Sequence, residues 1–191
     1  MIKTNAIFHR KMIEIEAQPC VIEAIELMNQ EQYDSFSRNM LADRDFIRDR
    51  KKDMYVDENG TMHCLLVINE DSGDGIVIDS SGYDYARYVG FMPNIKPYID
   101  QQISHVADQI FKEASENTSN GSWAVFFDEI EEHYDLSVTA NNGIGTLLLN
   151  ELQSREEIAE ISLEDNCFDL TLYLDFCKNL NPDEHEQNIG M

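Results

Sequence analysis

Basic residues are scarce over most of this sequence. Beyond residue 53 only five Lys or Arg stand against 27 Asp or Glu, whereas residues 1–53 hold nine basic and ten acidic residues. The formal net charge of the 191-residue chain is −23, of which −1 falls in the first 53 residues and −22 in the rest. A surface so poor in cations has little with which to displace the counterions of a phosphate backbone, which argues against DNA, RNA and anionic membranes as direct partners. It would instead attract a cationic partner over distance, in a salt-sensitive way. Long apolar runs are missing too: none approaches the roughly 18 residues of a membrane-spanning helix. The first residues, Met1-Ile2-Lys3-Thr4-Asn5, lack the apolar stretch of a secretory leader, so a cytoplasmic protein is expected. The four cysteines (Cys20, Cys64, Cys167, Cys177) are scattered with no CxxC pair, which fits reduced thiols.

What is present supports a folded core. Apolar residues make up 42% of the chain and aromatic content is ordinary, so the acidity does not come from disorder. Pro19 is suited to a first helical turn, and Val21, Ile22, Ile25 and Met28 follow at helical spacing. A second helix is expected from about Arg38 to Asp53. From Met54 the pattern becomes that of strands: a hairpin turning at Asn59-Gly60, a run from Thr61 to Ile68, a turn at Asn69–Gly75, and a strand at Gly75–Asp79. Pro97 opens a long helix striped by Ile99, Ile103, Val106 and Ile110. Glu116–Gly121 is a turn-rich break, after which Ser122 is placed to cap a helix with Trp123, Phe126, Phe127, Ile130 and Tyr134 on its buried face. A short helix at Leu147–Leu152 and a hairpin turning at Asp165-Asn166 complete the chain, with an acidic tail after Pro182. The expected fold is α+β: N-terminal helices over residues 1–53, an antiparallel meander plus a long helix over 54–118, and an acidic helix-and-hairpin lobe over 119–191. These regions would form lobes or one compact domain.

Assembled chemistry is hard to find. Arg44, Arg48 and Lys52 repeat every four residues and form the one basic patch, a nucleic-acid contact if there is any, but Asp43, Asp45, Asp49 and Asp53 offset it. Asn69–Gly75 has the outline of a calcium loop, yet its twelfth position is Ser80 where a bidentate Glu is needed. His63 and Cys64 stand without partners at ligand spacing, leaving a metal role for either open. Gly143-Ile144-Gly145-Thr146 lacks the Lys of a phosphate loop. No cofactor motif and no catalytic set emerges, and an interaction protein is expected rather than an enzyme. The carboxylates carry more information. Asp128, Glu132 and Asp135 recur at i, i+4 and i+7, flanked by Glu129, and such a ridge can imitate a row of phosphates; an ordinary solvated helix face gives the same pattern. Further acidic runs are Glu70, Asp71, Asp74, Asp79 and Asp84, and then Glu156, Glu157, Glu160, Glu164, Asp165 and Asp169.

The segment from His63 to Ile68, continuing through Asp74-Gly75-Ile76-Val77-Ile78-Asp79 and Tyr83-Asp84-Tyr85-Ala86-Arg87-Tyr88 to Phe91-Met92-Pro93, resembles small proteins carried by conjugative elements, plasmids and phages of gut Firmicutes. Some chains of this look are anti-CRISPR inhibitors that bind type II-A Cas9. The resemblance covers residues 61–98 and brings no catalytic motif. It implies a protein deployed by mobile DNA in the cytoplasm of a bacterial host, with Cas9 or a Cas9–guide RNA complex as the basic partner. Inhibition would proceed by DNA mimicry or by a block at a remote surface. Asp71, Asp74, Asp79, Asp84, Asp128, Glu129, Glu132 and Asp135 are the candidate partner-binding residues. Tyr83, Tyr85, Tyr88 and Phe91 are possible interface anchors, with burial expected for Tyr85 and Phe91. The rival expectation is an accessory interaction domain of a mobile element with no inhibitory role.

Overall fold

The structure is a computed structural model and describes residues 13–15, 18–38, 56–79, 87–134, 136, 138 and 143–179. Among them are two sheets and four helices. Strands β1 (Ile13–Ile15), β2 (Gln18–Met28), β3 (Met62–Asn69), β4 (Gly75–Asp79) and β5 (Arg87–Met92) form one five-stranded sheet in that spatial order. Neighbours in it are antiparallel except β2 and β3, which run parallel. Helix α1 (Gln30–Arg38) supplies the β2–β3 crossover, and α2 (Lys96–Asn117) follows β5. The second sheet is antiparallel, with β8 (Cys167–Leu172) between β6 (Ser122–Phe126) and β7 (Ile158–Leu163). Helices α3 (Phe127–Tyr134) and α4 (Gly143–Gln153) lie between β6 and β7 in the chain. The fold is mixed α+β, with the expected β3–β4–β5 meander and C-terminal hairpin.

The expected helix at Pro19–Met28 is instead β2. A bulge between Ile22 and Ala24 adds one residue to the strand, so Ile22 and Ile25, three apart, face the same core. Ala24 and Met28 face the other. With both faces covered, the strand reads as a nearly continuous apolar run, and the bulge gives it a helical spacing. Of the helix expected at Arg38–Asp53, Arg38 is the last residue of α1 and the rest, with Arg44, Arg48 and Lys52, lies outside the described residues.

The turn at Asn59-Gly60 forms, but only Gly60 takes a positive φ, +79°. The Gly60 N–H bonds the Asp57 carbonyl, and the Asp57 carboxylate accepts the N–H groups of Asn59 and Thr61 at 2.8 and 2.9 Å. This is a type I turn closed by a left-handed glycine, a common three-residue hairpin solution.

Ser122 does not cap a helix: Ser122–Phe126 is an edge strand paired to β8, and α3 begins at Phe127. Val125 is buried while Ser122, Ala124 and Phe126 are exposed, the period-two pattern of a half-covered strand. Helix α4 begins at Gly143 rather than Leu147. One continuous core joins Cys20, Ile22 and Ile25 of β2, Cys64, Leu66 and Ile68 of β3, the Ile99–Ile110 stripe of α2, Leu148 and Leu152 of α4, and Phe168, Leu170 and Leu172 of β8. The opposite face of the large sheet is covered by Tyr33 and Phe36 of α1, packed on Leu65, Val67, Ile76 and Ile78.

Candidate functional site

The small sheet buries one face and opens the other. Along β8, Phe168, Leu170 and Leu172 point inward while Asp169 and Thr171 are exposed. The register places Ser162 and Ala124 on either side of Asp169, and Glu160 and Ser122 on either side of Thr171. The outer face is therefore short, polar and acidic. At its end the hairpin turns through the exposed residues Glu164, Asp165 and Asn166.

Helix α3 starts against that hairpin tip. The Phe127 N–H donates to the Asn166 carbonyl at 3.0 Å, and the Phe127 and Phe168 rings meet edge-on with centroids 5.4 Å apart. Burial of Phe127 and Ile130 leaves Asp128, Glu129 and Glu132 exposed. Asp128 and Glu129 thus begin the helix next to Glu164 and Asp165, so two acidic segments far apart in sequence share one surface. Cys167, opposite Phe126 in the register, reports the field there: its thiol is pushed up by burial and then by the charges of Asp169 and Glu164.

Among the described residues, no ion pair offsets these charges. Between Ser122 and Phe176 the sequence has thirteen acidic residues and one basic one, Arg155. Arg155 is turned inward, paired with Asp108 at 2.7 Å and Glu151 at 3.4 Å. Lys96 and Lys178 are paired with Asp100 and Glu116. Among the described residues, Asp128, Glu132, Glu160, Glu164, Asp165 and Asp169 enter no ion pair. Phe126, 41% exposed, stands beside them as an apolar contact on the same outer face.

The open edge of β6 is closed to strand addition. The Phe127 and Leu172 ladder bonds show that odd-numbered residues of β6 face β8, so Ser122, Ala124 and Phe126 direct their backbone groups outward. Asn120 Oδ1 accepts the Ser122 N–H, Thr118 Oγ1 donates to the Ser122 carbonyl, and Glu129 Oε2 accepts the Phe126 N–H. An edge capped at both ends discourages backbone pairing. A partner would meet side chains here.

The other candidate residues do not join this face. Asp71 and Asp74 lie in the β3–β4 turn of the large sheet, where Asp71 Oδ2 accepts the Gln30 N–H at 3.2 Å and Asp74 Oδ1 accepts the Asn94 N–H at 2.8 Å. The same turn holds Asn69, fully buried, whose Oδ1 accepts the Ser72 N–H. It is a structural joint between α1, β4 and the start of α2. Asp79 is a correction: it is 3% exposed within β4 and presents no carboxylate to a partner. Strand β4 is covered on both faces, so its alternation cannot place Asp79 outside. Asp84 and Asp135, with Tyr83 and Tyr85, lie outside the described residues. Phe91, expected to be buried, is 48% exposed beside Tyr88 at 44% on β5. Cys64 is core, and His63 meets Asp57 at 3.3 Å. No group of three His, Cys, Asp or Glu suited to a metal occurs among the described residues.

Residues 60–98 match the model of DUF6329, a family of unknown function. No curated protein and no solved structure matches the chain. The matched stretch is the β3–β4–β5 meander and the first residues of α2, nearly the segment that carries the resemblance described above. Most of its described residues are buried. The acidic face lies outside it.

Proposed function

We propose that this chain is a non-enzymatic binding protein whose acidic face takes the basic surface of a protein that ordinarily holds nucleic acid. The observation that carries this reading is the meeting of α3 and the β7–β8 hairpin at Phe127 and Asn166: Asp128, Glu132, Glu160, Glu164, Asp165 and Asp169 are exposed on these two elements and enter no ion pair among the described residues, with Phe126 exposed beside them. Fixed carboxylates on a helix and a sheet occupy a groove lined with Lys and Arg much as phosphates do, and an exposed aromatic supplies apolar contact. Cas9 is the first candidate partner, because its nucleic acids run in positively charged channels and the resemblance in residues 61–98 points the same way. The function would be inhibition by occupation of that path.

The test is capture of a Cas9–guide RNA complex by the purified protein at low and high salt, with a DNA-cleavage assay alongside. Binding that weakens with salt and stops cleavage is the expected result. Binding without loss of cleavage would favour an accessory interaction domain over an inhibitor. Failure to bind at low salt would remove Cas9.

A further inference from the structure

The middle strand of the small sheet carries its outer row past its own end. Along β8, Cys167, Asp169 and Thr171 alternate onto the outer face, and Cys167 Sγ lies 4.0 Å from Asp169 Oδ1. Tyr173 keeps an extended backbone, φ −63° and ψ 135°, so the alternation runs on and its ring, 53% exposed, joins that row. A single 3₁₀ turn, Leu174–Phe176, follows. The Phe176 N–H donates to the Tyr173 carbonyl at 3.0 Å, and this spacing sets Phe176, also exposed, on the same side as Tyr173. The turn is tied down at both ends. The Tyr173 N–H bonds the Glu157 carbonyl at 3.0 Å, and the Lys178 N–H bonds the Ser115 carbonyl at 2.8 Å.

At the opposite end of the same face stands Phe126, which pairs with Cys167. Between these aromatic ends the side chains are small or acidic. Ser122 and Ala124 of β6 flank Thr171 and Asp169 on one side, and Glu160 and Ser162 of β7 flank them on the other. All six are exposed. The Ser162 hydroxyl donates to Glu164 at 2.9 Å and holds that carboxylate to the same face. An antiparallel sheet can face water on one side, so an open face alone calls for no occupant. Rigid, exposed aromatic groups at both of its ends have the character of interface anchors.

We propose that this face seats one basic, amphipathic α-helix of the partner protein, laid along β8 between Phe126 and the Tyr173–Phe176 turn. The proposal rests on the reading of the acidic face as a binder of a basic protein, and it names the element taken. The dimensions favour a helix. Three strands about 4.8 Å apart give a bed about 10 Å across, the width of one helix with its side chains. From Cys167, opposite Phe126, to Tyr173 the strand runs about 20 Å, a length spanned by about 13 residues of helix. The helical stripe position nearest to that span is i+14, so apolar residues at i and i+14 meet the two aromatic ends. Lys or Arg at i+4, i+7 and i+11 then lie over the carboxylates between them. Among the described residues no ion pair engages Glu160, Glu164 or Asp169, so their charge is free to act on such a helix. A strand fits less well, because the β6 edge is capped at both ends.

The test titrates the full chain, observed by nuclear magnetic resonance, with an alanine-based helical peptide of about 18 residues. It carries leucines at i and i+14 and lysines at i+4, i+7 and i+11. A control peptide of the same composition places its leucines on the side of the helix opposite the lysines. The first peptide should shift the Ala124, Asp169, Thr171 and Tyr173 signals in a saturable way, with a dissociation constant of about 0.1–1 mM. The control should bind at least about fivefold more weakly. Tyr173→Ala with Phe176→Ala should weaken binding about tenfold by removing one anchor. Tyr88→Ala with Phe91→Ala, which removes comparably exposed rings on β5, should leave binding unchanged. No saturable shifts on the face, equal binding by the two peptides, or equal effects of the two double variants overturns the seat. Shifts confined to α3 and the tip of the β7–β8 hairpin overturn it too, yet leave the acidic-face reading standing. Binding on the face combined with full Cas9 capture by Asp128→Lys, Glu132→Lys protein upholds the seat and sinks the channel-filling reading alone.

Discussion

A Cβ placed on Gly143 would overlap the carbonyl oxygen of Ile25. The first turn of α4 thus rides directly on the backbone of β2, and Ile144, Leu148 and Leu152 enter the main core from that approach. The glycine serves packing, a reason for its presence that needs no phosphate loop. Gly143→Ala should destabilise by about 2–3 kcal/mol, the upper part of the overpacking range, because the obstacle is backbone and cannot rotate away. Urea denaturation monitored by circular dichroism checks it; an unchanged midpoint would show that α4 can slide off β2 freely.

Asn69 makes a parallel case within the family-matched segment. Its buried amide holds the Ser72 N–H and reaches Gln30 Oε1 at 3.2 Å. Asn69→Ala should cost about 1–3 kcal/mol by leaving these groups unpaired. Partner capture should be unchanged at a temperature where the variant remains folded. Loss of capture without loss of stability would move the binding surface to the β3–β4 turn.

Charge reversal separates the acidic face from the general acidity of the chain. Asp128→Lys, Glu132→Lys and Asp169→Lys together should weaken capture of the basic partner by about 10–100-fold at low salt and flatten its salt dependence, since rim charges act mainly through long-range attraction. Glu129 is left intact because it caps the Phe126 N–H. Stability should change little, as exposed charges contribute about 1 kcal/mol or less each. The same number of reversals at Glu113, Asp108 and Asp100, on α2, should have a smaller effect on capture. Equal effects from both sets would mean that net charge, and no particular face, does the binding.

Much of the second half of the molecule was legible from residue pattern alone. The α2 stripe at Ile99, Ile103, Val106 and Ile110 has a single period, and only one face of the helix is fully buried. The β7–β8 hairpin alternates because only one of its faces is covered. Legibility failed where both faces are covered or a strand runs into a helix. In β2 the bulge after Ile22 produced a helical spacing inside a strand. At Ser122–Phe127 an edge strand runs straight into α3, so the aromatic residues of both merged into one apparent helical face. The acidic face depends on the meeting of Phe127 with Asn166, a contact across 39 positions that no local pattern carries. The alternation of Glu160, Ser162 and Asp169 was the available signal for its sheet half.

The hairpin before β3 yields a pH prediction. The Asp57 carboxylate accepts the Thr61 N–H, which holds its pKa below the ordinary aspartate value; the contact with His63 and the Asn59 N–H act in the same direction, against a smaller opposing effect of burial. In an unfolded chain those donors are lost and Asp57 titrates near its usual value, about 3.9. A carboxyl depressed in the folded state stabilises above the unfolded pKa, and that stabilisation disappears as the pH falls through the lower, folded value. Asp57→Asn keeps a side-chain acceptor for the turn but removes the charge. The variant should therefore be less stable than the parent at pH 7, and the two should converge as the pH falls through the lowered, folded value. Urea midpoints of both proteins from pH 2.5 to 7 make the comparison. A constant gap across that range would mean that the Asp57 charge plays no part in holding the turn, and that hydrogen-bond geometry alone sets the hairpin register against Val56 and Met62.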